Sequence, residues 1–340
     1  MTTDRERRAV AAVHGLALGD ALGAPASEHR TIHDPFVRQT LRRGRAELDA
    51  ELVLRPVVPF VLSALGTQSL VGTDDTELFA VAALAILEAG PSDASALFAS
   101  WRRLMSVDGT WTGTAQRSAL LNADEGLLPP QTGRDNPAFY DDTALPGALA
   151  AAVASEDPAE ASALARTLAE ITHDGVGVDA AGLFAAVVSR ALRGEALAEA
   201  LDAELASSDL DDWLLDGIAD ARRILDEHAT MFAAVPALVA RFAPRTYSHP
   251  GTVTETLPLA LALAERADGD HERAMPLAFS ITRHQDSLPA LVGALCGAVG
   301  SAVDAGPVDV VSGVTIPSVA GRSLRELAAS LLASGPAPRG

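Results

Sequence analysis

Along most of the chain apolar residues recur at the three-and-four spacing of one helix face. Ala and Leu supply the apolar positions, and Gly, Pro, Asp and Ser separate the runs. This pattern predicts helices near residues 4–23, 75–89, 93–105, 143–154, 158–172, 177–193, 209–226, 229–242, 252–266, 271–281, 287–303 and 322–334. The expected fold class is all-α. Residues 52–65 break the pattern: Val53, Val57, Val58, Phe60 and Val61 share the stretch with two prolines, which fits short extended segments or an irregular apolar loop. Two irregular stretches stand out, residues 24–76 and 123–143, and long loops in a compact domain are usually functional.

The longest apolar runs, residues 78–87 and 288–299, fall short of the ~20 residues a bilayer requires, so no transmembrane segment is expected. Neither a fixed-period repeat nor a compositional linker divides the chain. It is read as one domain over residues 1–334 with a Gly/Pro tail at 335–340.

Charge narrows the function. Against 45 acidic residues stand 26 basic ones, a net charge of −19, which repels phosphate backbones and anionic lipid and argues against nucleic-acid and membrane partners. Every basic residue is arginine. The absence of lysine excludes Schiff-base chemistry, lysine general bases and a P-loop lysine. One cysteine, Cys296, can form neither an internal disulfide nor a cysteine-based zinc site, and residues 1–5 lack the apolar core of a signal peptide, so a cytoplasmic protein is expected.

Three segments carry candidate chemistry. In Gly15-Leu16-Ala17-Leu18-Gly19-Asp20-Ala21-Leu22-Gly23 the glycines recur every four residues on one helix face, which other backbones can approach closely; Asp20 would then be hydrogen-bonded nearby. In Gly72-Thr73-Asp74-Asp75-Thr76 two adjacent carboxylates and two hydroxyls lead into a helix. They serve as helix-start acids or as a hard-oxygen cluster suited to Mg²⁺ or Mn²⁺. His284-Gln285-Asp286-Ser287 stands at another helix start, with Pro289 in the first turn. Helices beginning this way could meet at one point and concentrate Asp74, Asp75 and Asp286 there, with cations as the natural neutraliser. Trp101, Trp111 and Trp213 read as core or interface aromatics, Cys296 as a small apolar helix residue, and Asp209, Asp211 and Asp212 as a solvated helix start.

With G-D-A-L-G-x-P at 19–25, T-D-D-T at 73–76, I-T-H at 171–173 and D-S-x-x-A-x-x-G-A at 286–294, the chain resembles the ADP-ribosylglycohydrolase family over most of its length; Ile316-Pro317 adds a weaker match. The resemblance implies an all-α fold with one or two divalent ions, Mg²⁺ or Mn²⁺, that cleaves the glycosidic bond joining ADP-ribose to an acceptor such as an arginine guanidinium. The substrate would be an ADP-ribosylated protein or a small ADP-ribosyl or ribosyl molecule. Carried over by motif, the metal ligands would be Thr73, Asp74, Asp75, His284, Asp286 and Ser287, with Ser287 in a threonine's place. Asp74 or Glu28 would orient the attacking water, and His173 would position substrate.

The chain departs from the family's pattern in three places. His284 stands where the family has a metal-binding Asp, exchanging an anionic oxygen for a neutral nitrogen and weakening Mg²⁺ relative to Mn²⁺, Fe²⁺ or Zn²⁺. The acid after the G-D-A-L-G stretch is Glu28, one position later than usual, with Ser27 in its place. The substrate loop begins at Asn136 but lacks the family's glycine and arginine, and the glycine-tyrosine pair that stacks on adenine becomes Gly251-Thr252, leaving Tyr247 or His249 as the nearby aromatic rings. These departures keep two other readings open beside the hydrolase: a relative that binds ADP-ribose or a nucleotide without turnover, and a structural or partner-binding protein on the same fold.

Overall fold

The computed structural model describes residues 3–23, 70–111, 113–207, 209–243, 251–281, 284, 287–303 and 306–334. In chain order the helices are α1 (Asp4–Gly23), α2 (Asp74–Ala89), α3 (Ala94–Met105), α4 (Thr114–Asp124), α5 (Gln131–Arg134), α6 (Leu145–Ala154), α7 (Pro158–Ala169), α8 (Val176–Leu192), α9 (Leu197–Ser207), α10 (Asp212–Asp226), α11 (Met231–Phe242), α12 (Val253–Arg266), α13 (His271–Ser280), α14 (Leu288–Ala298) and α15 (Leu324–Ser334). Among the described residues there is no strand. Two isolated bridges, Asp141 with Thr252 and Val310 with Ser323, are the nearest thing to sheet. The all-α expectation holds. No described helix is long and apolar enough to cross a membrane. The apolar stretch 52–65 lies outside the described residues.

Hydrophobicity decides which helices are central. The helices α2, α6, α8 and α14 are buried on nearly every face, as their sequences, apolar all round, require. Outer helices bury one stripe: α10 turns Leu214, Gly217, Ile218, Ala221, Ile224 and Leu225 inward and leaves its acids in solvent. Four aspartates cap helices. Asp93, Asp157, Asp211 and Asp270 each accept first-turn N–H groups of the helix that follows. Among the tryptophans Trp101 is buried, while Trp111 and Trp213 are exposed. Burial pushes the Cys296 thiol up to about 12, so it packs as an apolar group.

The packing that matters for the site is α1 on α14. At Gly15 a Cβ would lie 2.0 Å from the Gly293 carbonyl oxygen, at Gly19 2.1 Å from that of Pro289, and at Gly297 2.2 Å from that of Ala11. Backbone therefore touches backbone along three turns, and the N-terminus of α14 is seated against the last turn of α1.

The structure adds α4, α5 and α9 to the elements expected. The predicted helix over 158–172 stops at Ala169, and the one over 287–303 stops at Ala298, where Gly300 takes a φ of +102° and Ser301 N–H returns to the Cys296 carbonyl.

Candidate metal centre

The site begins with Asp20, fully buried in the last turn of α1. Its Oδ2 accepts the Thr73 N–H at 2.6 Å, the Thr76 N–H at 3.0 Å and the Thr76 hydroxyl at 2.6 Å, and its Oδ1 accepts the Thr73 hydroxyl. Thr73 occupies the N-cap position of α2, but its side chain makes no cap bond. Asp20 does that work from another helix. Two first-turn N–H groups that a local cap would have served are satisfied across the fold, and the α2 start is fastened to the glycine-faced end of α1.

Asp74 and Asp75 open α2 beside it, 9% and 2% exposed. Carboxylate oxygens of Asp20, Asp74 and Asp75 lie within 4.8 Å of one another. Like charges at that spacing repel by about 3–4 kcal/mol per pair at an effective dielectric of about 20. The positive end of α2 returns only about 0.3–1 kcal/mol to each. A divalent cation resolves the excess, and carboxylate with threonine oxygen is the donor chemistry that Mg²⁺ and Mn²⁺ take. The residues present fit such an ion.

One turn on, Glu77 is fully buried and faces the segment 312–316. Its carboxylate accepts the Val314 N–H at 2.7 Å, the Thr315 N–H at 3.0 Å, the Ser312 hydroxyl at 3.0 Å, the Thr315 hydroxyl and the Ile316 N–H, while Ser312 also donates to the Gly72 carbonyl at 2.8 Å. The clamp fixes the chain on which Thr73, Asp74 and Asp75 stand.

A second group of donors gathers where the 140–143 loop meets the starts of α12 and α14. Asp142 N–H donates to the Gly251 carbonyl at 2.8 Å and Val253 N–H to the Tyr140 carbonyl at 3.0 Å. Gly251 has a φ of +80°, and a Cβ there would stand 3.0 Å from Asp142 Oδ1, so only glycine suits this junction. Ser287, at the N-cap position of α14, donates its hydroxyl to Asp142 Oδ1 at 3.2 Å. Thr252, almost fully buried, pairs with Asp141. His284 is buried, its Nε2 2.6 Å from the Phe242 carbonyl and 3.2 Å from Glu255 Oε2.

Asn136 and His173 hold the loop in place. Asn136 Nδ2 donates to the carbonyls of Ala115 at 2.8 Å and Thr172 at 2.9 Å, and its Oδ1 accepts the Ala138 N–H at 3.0 Å. Fully buried His173 is engaged at both nitrogens, with Thr172 Oγ1 at 2.7 Å and Asp141 Oδ1 at 2.8 Å; Asp141 also accepts the Thr143 N–H at 3.0 Å and the Thr143 hydroxyl. Glu28 and Asp286 lie outside the described residues, as do Ser27, Tyr247 and His249.

Sequence reasoning found the Thr73–Thr76 turn and expected Asp20 to be hydrogen-bonded nearby without naming Thr73 and Thr76 as its partners, and it passed over Asp142, Glu77 and Glu255. A signal for Asp20 was present: it follows a glycine that admits another backbone, so it had to be buried, and a buried acid needs donors. Asp142 and Glu255 had no local signal, because their surroundings come from segments distant in sequence.

An all-helical protein with three buried carboxylates brought together where the end of one helix meets the first turn of a central one belongs to the class that can hold a divalent metal. The family is also plain. The family model of the ADP-ribosylglycohydrolases matches residues 1–338, and the chain belongs to that family. Among solved structures it is similar to a chain described as an ADP-ribosylglycohydrolase-related protein complex. That match has a TM-score of 0.61 and 24% identity, and covers 98% of this chain and 99% of the other, a likeness that establishes the fold. No curated protein is similar enough to match.

Proposed function

We propose that the protein is a divalent-metal-dependent hydrolase that cleaves the glycosidic bond between ADP-ribose, or a related ribosyl group, and its acceptor. Family membership supports the hydrolase and the ADP-ribosyl class of substrate. The observation that carries the reading is the convergence of Asp20, Asp74 and Asp75 within 4.8 Å at the start of α2.

In this reading Thr73, Asp74 and Asp75 hold the ion, with His284, Asp286 and Ser287 contributing from the start of α14. The ion, Mg²⁺ or Mn²⁺, supplies Lewis acidity toward substrate oxygens and lowers the pKa of water. Asp20 keeps the α2 turn in register by accepting four hydrogen bonds from Thr73 and Thr76. Asp74 or Glu28 orients the attacking water and receives its proton. The carboxylates face the positive charge that develops on the ribose as the bond to the acceptor breaks, so they stabilise the transition state more than the ground state. In this reading Gly251 and Thr252 face substrate, while Asn136 and His173 brace the neighbouring loop through hydrogen bonds with Thr172 and Asp141.

The test is release of free ADP-ribose from ADP-ribosyl-arginine, followed by chromatography in Mn²⁺. Asp74→Ala and Asp75→Ala are expected to lower the rate about 100-fold or more while the far-ultraviolet circular dichroism stays helical. ADP-ribose binding without turnover by the wild type would replace this reading with that of a binding protein.

A further inference from the structure

We infer that the crevice between α9, α10 and α12 binds a zwitterion of α-amino-acid size, its carboxylate held by Arg266 and its ammonium by Asp226. The site is separate from the acidic centre. α12 starts beside Thr252 and reaches the crevice only at its other end, about 20 Å further on.

The crevice has a volume of about 220 Å³. Apolar surface is supplied by Leu225 and Ala262, each 2% exposed. Arg222 ties the three helices together there, Nε donating to Glu265 at 2.8 Å and Nη1 to Asp202 at 2.7 Å. Its third nitrogen, Nη2, is shut off from solvent and bonds nothing. An anionic group in the crevice recovers part of what a bare buried donor on a cation costs.

Two more charges line the same crevice without using each other. Asp226 ends α10 and Arg266 ends α12; both are exposed, and among the described residues neither side chain makes an ion pair or a hydrogen bond. Opposite charges that face one crevice yet stay apart leave a gap that a ligand carrying both signs can bridge. A ligand of single sign is poorly served. Asp202, Asp226 and Glu265 oppose an anion, and Arg222 and Arg266 oppose a cation. Polarity also sets the orientation, because the ammonium meets Asp226 at the carbonyl end of α10 while the carboxylate turns to Arg266 and the field of Arg222. A small apolar side chain then covers Leu225 and Ala262.

The experiment is titration calorimetry on the full chain in EDTA with three probes: L-valine, its methyl ester and N-acetyl-L-valine. L-Valine is expected to bind with a Kd of about 1 mM, and each blocked form about 5-fold more weakly, since each loses one of two exposed charge contacts. Arg266→Gln should bring L-valine down to the affinity of the methyl ester, and Asp226→Asn to that of the N-acetyl form. Both positions are exposed chain ends of helices, so the fold tolerates the changes. Methyl resonances of Leu225 and Ala262 should shift with L-valine. Equal affinity for the three probes overturns the inference, as does the absence of L-valine binding, and neither result needs a variant to fold. L-Valine affinity unchanged in both variants also overturns it. The hydrolase reading stands or falls separately, because these titrations contain neither metal nor an ADP-ribosyl substrate.

Discussion

Replacing Gly19 by alanine tests the link between helix packing and the acidic centre. The added Cβ would stand 2.1 Å from the Pro289 carbonyl oxygen, 2.4 Å from its carbon and 2.6 Å from the Ala290 nitrogen. All three are backbone atoms, so no rotamer change relieves the contact. Ordinary contact begins at 3.4 Å, and the two helices would have to part by about 1.3 Å. Overpacking of this kind costs about 1–3 kcal/mol, and the gain in helix propensity from Gly to Ala returns at most about 1. Because the clash is with backbone on both helices it sits near the top of that range, so the net loss is about 2 kcal/mol, which over 340 residues corresponds to a fall in Tm of about 3 °C. Gly147→Ala in α6 is the internal control, because its Cβ would meet only the Ala82 side chain at 3.5 Å; it should be neutral or stabilising by up to about 1 kcal/mol. Calorimetry measures both. Because Pro289 sits two residues after Ser287, Gly19→Ala should also weaken Mn²⁺ binding while Gly147→Ala does not. A Gly19→Ala protein as stable as the wild type would show that the α1–α14 contact is not tight, and the argument from packing to site would fail with it.

Two further outcomes follow from buried or paired acids. Glu77→Gln turns an acceptor of five hydrogen bonds into a group with one acceptor oxygen and an NH₂ facing donors, and should cost about 2–4 kcal/mol in urea unfolding, with faster amide exchange across residues 312–316; unchanged exchange there would refute the clamp. At Asp309 burial pushes the carboxyl pKa up, but hydrogen bonds from His14, the Arg325 N–H and Ser323 outweigh it and hold the group below its ordinary value. A pKa depressed in the folded state gives stability that is present above about pH 4 and lost as pH falls through the folded value, so between about pH 5 and 3 the urea midpoint of Asp309→Asn should decline less than that of the wild type.

How much of this was legible beforehand depends on whether a residue's reason is local. The central helices announce themselves because leucine, valine and alanine recur at helix spacing and nothing else would bury them. The missed helices have polar or small residues on the inward face. In α9 the buried stripe is Leu197, Ala200, Leu201 and Glu204, and the last is admissible only because Arg190 of α8 donates to it at 2.6 Å. In α4 the stripe is Ala115, Gln116, Ala119 and Ala123, with Gln116 bonded to Thr143 at 2.7 Å. No window of sequence contains those partners. The same division runs through the site. The Thr73–Thr76 turn is visible because acids and hydroxyls at a helix start are a local pattern, whereas its tie to Asp20 joins residues 53 and 56 positions apart.

The buried acids fall into two kinds, and the contrast argues for the cation. Glu77 is met by five donors, Asp141 by His173 and Thr143, and Glu204 by Arg190. Each is one charge in a cradle built for one charge. At the start of α2 the fold brings three carboxylates within 4.8 Å of one another, and Asp20 accepts four hydrogen bonds from Thr73 and Thr76. Capping does not require this: Asp20 alone serves the Thr73 and Thr76 N–H groups. Asp74 and Asp75 add two further carboxylates at that turn, in a chain with no lysine. A cation bound at this turn would offset that concentration of like charge.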